Sequence, residues 1–326
     1  MVKEKFITEN LTHDGIDRRG FLKCMAWAGT GAYCVLQGGV LKSYALGGEA
    51  LRNGSMSKMM KGELGFVQIS DSHIGFDKAA NPDVTGTLRQ AIAKINALPT
   101  PPSFVLHTGD LSQLSKPDQF DTVSEVLKEI RTEKTFYVPG EHDVLDDDGA
   151  GYRERFAKGT MGDGWYSFDS AGVHFIGLVN VMNLKAGGLG NLGADQLEWL
   201  EKDVKHLKSS TPIVVFAHIP LWSIYPDWGW GTSDAVQALS YLKRFGSVTV
   251  LNGHIHQTMK KVEGNITFHT AMSTAFPQAA PGVGPGPGPL KVDAGKLRSV
   301  LGITDVNFIR GRNTLGITDS TLDSSM

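Results

Sequence analysis

Leu64-Gly65-Phe66-Val67-Gln68-Ile69-Ser70-Asp71-Ser72-His73 is the stretch whose reading decides the fold. Leu64–Ser70 is a short apolar run that ends in polar residues, which predicts a buried strand. The residues after it repeat the plan. Val84, Leu88, Ile92 and Ile95 recur at helical spacing, and Pro99 stops that helix. Phe104–Leu106 predicts a second strand, Phe120, Val123, Leu127 and Ile130 a second helix, and Phe136–Val138 a third strand ended by Pro139-Gly140. Strands alternating with helices imply parallel βαβ units.

Beyond residue 164 the pattern changes. Trp165–Phe168 and Val173–Val179 flank Ala171-Gly172 as in a hairpin, and Leu197, Leu200, Val204 and Leu207 predict another helix. Ile213–Phe216, Val248–Leu251 and Ile266–His269 read as further strands. Pro281–Pro289, rich in Pro and Gly, must be a loop. Apolar stretches near Val300–Ile303 and Val306–Ile309 predict an added edge strand.

Polar residues collect where the predicted strands end. Asp71 and His73 follow the first, Gly109-Asp110 the second, and Gly140-Glu141-His142-Asp143 the third. His218 follows Ile213–Ala217, and Gly253-His254-Ile255-His256 follows Val248–Leu251. In an α/β sheet the carboxyl ends of strands converge on one crevice. Any one of these histidines alone reads as a packed structural residue, but five motifs at five strand ends are hard to explain by packing.

The order Asp-x-His, Gly-Asp, Gly-Glu-His-Asp, His, Gly-His-x-His resembles the calcineurin-like metallophosphoesterases, from Asp71 through His256. It is most similar in style to class III cyclic-nucleotide phosphodiesterases and related secreted phosphoesterases, with purple acid phosphatases more distant. The resemblance implies an α/β fold, a four-layer α/β/β/α sandwich of two mixed β-sheets flanked by helices. It implies one metal held by Asp71, His73, Asp110 and His256, and a second sharing Asp110 and taking Glu141, His218 and His254. His142 would face the phosphate as general acid or charge stabiliser, with Asp143 orienting it. The cofactors would be two divalent or trivalent ions, Fe, Mn or Zn, since imidazole and carboxylate ligands suit these. Such a pair polarises a phosphoryl oxygen and supplies a hydroxide for in-line attack on a phosphomonoester or phosphodiester.

Glu141 departs from the pattern, which ordinarily has Asn there. A unit charge at about 4 Å in an effective dielectric of about 20 is worth about 4 kcal/mol before screening. The extra charge would favour a harder or higher-valent second metal such as ferric iron, or would mark a divergent activity. A rival function is therefore a carboxylate-rich metal-binding or redox protein on the same scaffold with little hydrolysis. An enzyme-derived binding module is weaker, because no expected ligand position is lost.

The chain has 326 residues, 41% of them hydrophobic, enough for one large domain with a sizeable core. Its net charge of −2 provides no basic field for bulk nucleic-acid binding. Asp17-Arg18-Arg19-Gly20-Phe21-Leu22-Lys23 resembles the twin-arginine export signal, and a weakly apolar run from Cys24 to Leu41 and Ser43-Tyr44-Ala45 complete a plausible signal peptide over 1–45. Residues 46–62 read as a linker and 63–326 as the metallophosphoesterase domain. Both cysteines, Cys24 and Cys34, fall in the signal, so a mature chain would bind metal through nitrogen and oxygen alone. The expected location is periplasmic or secreted, with the twin-arginine translocation machinery as partner and a small phosphoester as substrate.

The remaining residues carry weaker signals. His107 reads as core with a possible supporting role at the site, His174 and His269 as structural, His13 as part of the signal, and His206 as helix surface. Asp146, Asp147 and Asp148 form an acidic run whose default is a solvated loop, with calcium binding the alternative. Asn252 serves either a turn or the site. Trp222, Tyr225, Trp228 and Trp230 either pin the loop after His218 or wall a pocket for an aromatic or nucleotide leaving group.

Overall fold

The computed structural model describes residues 32–37, 40–45, 63–132, 134–309 and 315–324. Contacts divide the chain into Met1–Lys61 and Gly62–Met326. In the first unit Ala32–Gln37 (β1) and Val40–Ala45 (β2) form an antiparallel hairpin, Ala32 opposite Ala45 and Gln37 opposite Val40. Arg18, Arg19 and the linker expected at 46–62 lie outside the described residues. No helix among the described residues is long and apolar enough to cross a membrane.

The second unit opens with the expected alternation. Glu63–Ile69 (β3), Val105–His107 (β4) and Thr135–Tyr137 (β5) pair in parallel, with Val84–Asn96 (α1) and Pro117–Leu127 (α2) as crossovers. The Asp83 carboxylate caps α1 by accepting from the Gly86 N–H at 2.8 Å. Pro117 opens α2, where its missing N–H costs nothing.

Ala150–Phe156 (α3) follows. Tyr166–Ser170 (β6) and Val173–Gly177 (β7) then form the expected hairpin. Ala194–Val204 (α4), Ile213–Phe216 (β8), Ala235–Leu242 (α5), Val248–Asn252 (β9), Lys260–Glu263 (β10) and Ile266–Thr270 (β11) continue the chain. Gly302–Ile309 (β12) and Gly316–Thr321 (β13) close it. One sheet has the order β13-β12-β3-β4-β5, the other β10-β11-β9-β8-β7-β6, and both mix parallel and antiparallel pairs.

Strand alternation builds three cores. Val67, Ile69 and Val105 point to α1 and α2, where Leu88, Ile92, Phe120 and Val123 cover them. Leu64, Phe66 and Leu106 point the other way and meet Phe175, Val214, Phe216 and Leu251 between the sheets. Ile213, Val215, Val248 and Val250 face α4 and α5. The result is the four-layer α/β/β/α sandwich.

One expectation needs correction. The apolar stretches around 300–309 form a single strand, β12, and it is not an edge. It lies between β3 and β13, antiparallel to both, so the edge is β13. The expected pair of stretches merges because Thr304 and Asp305 continue the ladder opposite Gln68 and Val67.

Candidate metal centre

The loops leaving β3, β4, β5, β8 and β9 all emerge at one end of the sandwich. They are tied to each other by backbone bonds: the Asp71 N–H donates to the Gly109 carbonyl at 3.0 Å, the His73 N–H to the Asp110 carbonyl at 2.9 Å, and the Gly253 N–H to the His218 carbonyl at 3.0 Å. Asp71, His73, Asp110, Glu141, His142, His218, His254 and His256 come together there.

The backbone at this edge is strained. Asp71 (φ 55°), His73 (42°), Asp110 (53°), His254 (71°) and His256 (55°) all adopt the left-handed region that L-residues avoid. Such conformations persist only where surrounding structure over-determines them, and they cluster at functional sites. Two glycines make room for the carboxylates. A Cβ on Gly140 would stand 2.0 Å from Asp110 Oδ1, and one on Gly253 2.0 Å from Ser70 Oγ and 2.7 Å from Asp71 Oδ2.

Two clusters share one residue. Asp71, His73 and His256 form the first, with His256 Nε2 3.2 Å from Asp71 Oδ1 and 3.1 Å from His73 Nε2. Glu141, His218 and His254 form the second, with Glu141 Oε2 2.9 Å from His218 Nε2 and Oε1 2.9 Å from His254 Nδ1. Asp110 Oδ2 stands between them, 3.4 Å from both His73 Nε2 and His218 Nε2.

The donor set fits metal ions. Ligands about 2.1 Å from one ion stand about 3.0 Å apart at right angles and about 3.4 Å apart at tetrahedral angles. The nitrogen and oxygen atoms here are spaced in that range. Despite that closeness, Glu141 Oε2, His218 Nε2 and both His254 ring nitrogens are buried without a hydrogen bond, a shortfall that coordination to an ion would make good. Burial pushes the His73 imidazole down to about 3, which leaves it neutral with a lone pair to give. Burial would raise the Asp71 carboxyl, but His256, His218 and His73 outweigh it and hold it below the usual carboxylate range. Burial would likewise raise Glu141, and His254 and His218 hold it well below that range.

Backbone carbonyls aim the rings. His218 Nδ1 lies 2.6 Å from the Thr108 carbonyl, His256 Nδ1 2.6 Å from that of Phe276, and His142 Nδ1 2.7 Å from that of Gln113. A ring that donates from Nδ1 turns a bare Nε2 to the site. Asn252 grips the backbone around His218, donating to the carbonyls of Ala217 and Ile219 at 2.8 and 3.2 Å. Phe276 packs its ring 4.7 Å from both His73 and His256.

The Asp143 carboxylate makes no hydrogen bond with the His142 ring, so an orienting role would run through the backbone. The carboxylate accepts from the N–H groups of Leu111 (3.0 Å), Ser112 (2.8 Å) and Gly140 (2.9 Å) and from Ser112 Oγ (2.9 Å). It ties the β4 loop to the β5 loop, and the Gln113 carbonyl holds the His142 ring. Burial pulls the His142 imidazole down, but Asp110 and Glu141 outweigh it and hold it above its ordinary value.

The other sequence candidates lie apart from the cluster or behind it. His107 is buried, its Nε2 3.0 Å from Ser72 Oγ. His174 is held between Asp169 and Asp203, and His269 pairs with Asp319. Lys116 pairs with Asp146 at 2.7 Å, and Asp147 accepts from the Gly151 N–H at 2.7 Å in an exposed loop. Trp230 is wholly buried, and the Trp222 ring lies 5.0 Å from Phe268 in the core beneath α4 and α5. Trp230 pins the loop, while Trp222 lines a cavity of about 370 Å³ with Pro226, Leu239, Lys261 and Phe268 that includes none of the metal-cluster residues. Residues 281–289 form a loop, anchored beside the site where Gln278 donates to the His254 carbonyl at 3.0 Å. Gln113 and Phe276 are not marked by any sequence motif, because each orients its histidine through a main-chain carbonyl, and the Phe276 ring contact with His73 and His256 joins residues far apart in the chain.

Comparison with known proteins agrees with this geometry. The profile of the calcineurin-like phosphoesterase family matches residues 64–258. The chain is 24% identical over 219 residues to a 3′,5′-cyclic-nucleotide phosphodiesterase of Nostoc, covering 65% of this chain and 79% of that one. It is 29% identical over 221 residues to the serine/threonine-protein phosphatase CPPED1 of Mus musculus, covering 60% and 70%. Among solved structures, a dimetal phosphatase from Danio rerio superposes with a TM-score of 0.57 at 15% identity over 79% of this chain and 96% of that one. A purple acid phosphatase from yellow lupin gives 0.58 at 14% identity over 81% and 52%. With the family profile spanning every motif from Asp71 to His256, the chain belongs to the calcineurin-like phosphoesterase family, metal-dependent hydrolases of phosphoric ester bonds.

Proposed function

We propose that this chain is an exported dinuclear phosphoesterase that hydrolyses small phosphomonoesters or phosphodiesters. The observation that carries the reading is the position of Asp110 Oδ2, 3.4 Å from a histidine of each cluster, as a carboxylate shared by two ions must be. Asp71, His73, Asp110 and His256 would hold one ion, and Asp110, Glu141, His218 and His254 the other, with Fe, Mn and Zn the fitting elements. Two ions bound there would polarise a phosphoryl oxygen and activate water.

The protein's own groups supply the rest. His142, whose raised pKa keeps it protonated further towards neutral pH, would donate a hydrogen bond to the phosphate or a proton to the leaving oxygen. Its ring lies 4.9 Å from that of His73, edge-on, which puts it at the lip of the first cluster. Asp143, through four bonds to two loops, would keep the shared carboxylate and His142 in register. The substrate is a small phosphoester, with a nucleotide or aryl leaving group as the class to try first, since the Nostoc relative is named for cyclic nucleotides.

Arg18-Arg19 followed by Phe21-Leu22-Lys23 supports export in folded form to the periplasm or beyond. Replacing both arginines by lysine should strand the protein in the cytoplasm; unchanged export would reject that part of the reading. The catalytic part is tested by loading the full chain with Mn, Zn or Fe and measuring turnover of p-nitrophenyl and bis-p-nitrophenyl phosphate. Two metals per chain with no turnover of either ester, or of cyclic nucleotides, would favour the metal-storing or redox alternative.

A further inference from the structure

Eight large hydrophobic side chains are well exposed among the described residues, and six of them stand on loops at the metal end. They are Leu114, Leu145, Met161, Leu184, Val283 and Leu290, each between 42% and 61% exposed. Topology fixes that placement. Leu114 and Leu145 follow β4 and β5. Leu184 follows β7, and Val283 and Leu290 follow β11, and both strands run parallel with β8 and β9, which lead into His218 and His254. Met161 precedes β6, whose first residue lies opposite the last of β7. One exposed leucine needs no explanation, but six such side chains at one end do.

These tips are tied to the metal clusters. Leu114 follows Gln113, whose carbonyl aims His142. The Leu145 N–H donates to Ser115 Oγ at 2.9 Å, which donates to the His142 carbonyl at 2.8 Å. Across the site, the Leu290 N–H donates to the Pro277 carbonyl at 2.8 Å, next to Gln278, which holds the His254 carbonyl. The clusters open between these two sides. The Glu141 and His254 side chains are 23% and 12% exposed, against 3% or less for Asp71, His73, Asp110, His218 and His256.

From this arrangement we infer that the apolar rim seats on a zwitterionic lipid surface, and that the substrate is an amphiphilic phosphoester whose phosphate lies in the headgroup layer. The inference rests on the phosphoesterase reading above and extends its substrates from small esters to lipid ones. Whatever covers the rim also covers the mouth of the site. A bound protein or a second copy would close that mouth, whereas a lipid surface brings the ester to it. The rim also has the wrong residues for a protein partner. It offers Leu, Met and Val, while binding energy between proteins comes mainly from Trp, Tyr and Arg. Aliphatic loop tips suit shallow immersion at the boundary between headgroups and acyl chains. Surface charges within three residues of the tips nearly balance, four lysines against five aspartates, so no basic field selects anionic lipid. Hydrolysis there needs water alone: its oxygen bonds to phosphorus, the ester P–O bond breaks, and one water proton ends on the leaving oxygen.

Spin labels read the docking without reference to activity. They are placed by Leu145→Cys and Val283→Cys in the full chain carrying Cys24→Ser and Cys34→Ser. Val262→Cys, exposed on β10 towards the opposite end, is the reference. With phosphatidylcholine vesicles, the labels at 145 and 283 should lose accessibility to an aqueous nickel chelate and gain it to oxygen, and the label at 262 should not change. In the zinc- or manganese-loaded chain, Leu145→Ser with Val283→Ser should cut turnover of phosphatidic acid or phosphatidylcholine in vesicles at least about tenfold, with soluble p-nitrophenyl phosphate turnover within about twofold of wild type. Labels at 145 and 283 that stay as open to nickel as the one at 262 overturn the inference. So does a double variant that hydrolyses vesicle esters as fast as wild type, or a wild type that hydrolyses the soluble ester and a phosphoserine peptide but neither lipid. Immersed labels with no turnover of any ester, soluble or lipid, would instead remove the phosphoesterase reading, and the substrate assignment with it.

Discussion

The main-chain N–H of His142 donates to Oδ1 of Asp110 at 2.9 Å. That bond fixes the rotation of a buried carboxylate and leaves its Oδ2 free between His73 and His218. It also couples the candidate acid to the shared ligand through one peptide. Replacing Asp110 by Asn keeps the shape but removes the charge that both ions would share. Asp110→Asn should lower metal content at both positions and cut turnover at least about a hundredfold, since even outer partners of metal ligands commonly cost ten- to a hundredfold. Elemental analysis beside a phosphoester assay checks it. Full retention of two metals would contradict the sharing.

His142 is predicted to separate metal binding from chemistry. His142→Asn should keep both ions while turnover falls by about 10²–10⁴, the usual range for a general acid. The alkaline limb of the pH–rate profile should also move. A variant that loses metal along with activity would make His142 a ligand instead.

Trp222 offers the opposite contrast. Its ring packs on Phe268 beneath α4 and α5. Trp222→Ala should lower stability by about 2–4 kcal/mol, less than the full range for a wholly buried aromatic because Trp222 is only half-buried. Michaelis constants for aryl and nucleotide esters should stay within about twofold of wild type. Chemical denaturation and steady-state kinetics on one preparation decide between the two. A large rise in the Michaelis constant at unchanged stability would restore the pocket role.

His174 supplies a pH dependence outside the site. Burial pulls its pKa down, but Asp203 and Asp169, each 2.8 Å from a different ring nitrogen, outweigh that and raise it. A raised folded pKa stabilises the protonated form, so the contribution is fully present below about pH 6.5, the unfolded value. It fades as the pH climbs through the raised folded value. His174→Gln should therefore lower the unfolding free energy more at pH 6 than at pH 9, by on the order of 1 kcal/mol for a partly exposed pair, as chemical denaturation at the two pH values would show. Equal losses at both pH values would show that the ion pair is not what His174 contributes.

Much of this was readable from residue order, and the exceptions have physical causes. β8 announces itself as an unbroken apolar run, and β3, β9 and β11, largely buried, carry enough apolar residues among their polar ones to be read as strands. β10, Lys260-Lys261-Val262-Glu263, is exposed at every residue and has no apolar face to signal it. β13, with Asp319 and Ser320, hides for a similar reason. α3 and α5 are short, and α3 directly follows the acidic run that masks its start. At the site, the motif residues carry their chemistry in their side chains and could be found. The Thr108, Gln113 and Phe276 carbonyls that aim the histidine rings belong to the backbone, which every residue type shares.

The place of β12 has a consequence for the timing of synthesis. β3 has only two neighbours in its sheet, β4 beside it in sequence and β12 from the far end of the domain. Until Gly302–Ile309 leaves the ribosome, β3 presents a bare edge, and such distant pairings are slow to close. Asp71 and His73 sit at the end of that same strand, and Ser273 and Thr274, which hold the Asp71 and Ser70 carbonyls, arrive only shortly before β12. The metal-binding end of the molecule is therefore completed only once β12 has been made. Within its sheet, then, the strand made first is among the last to be enclosed.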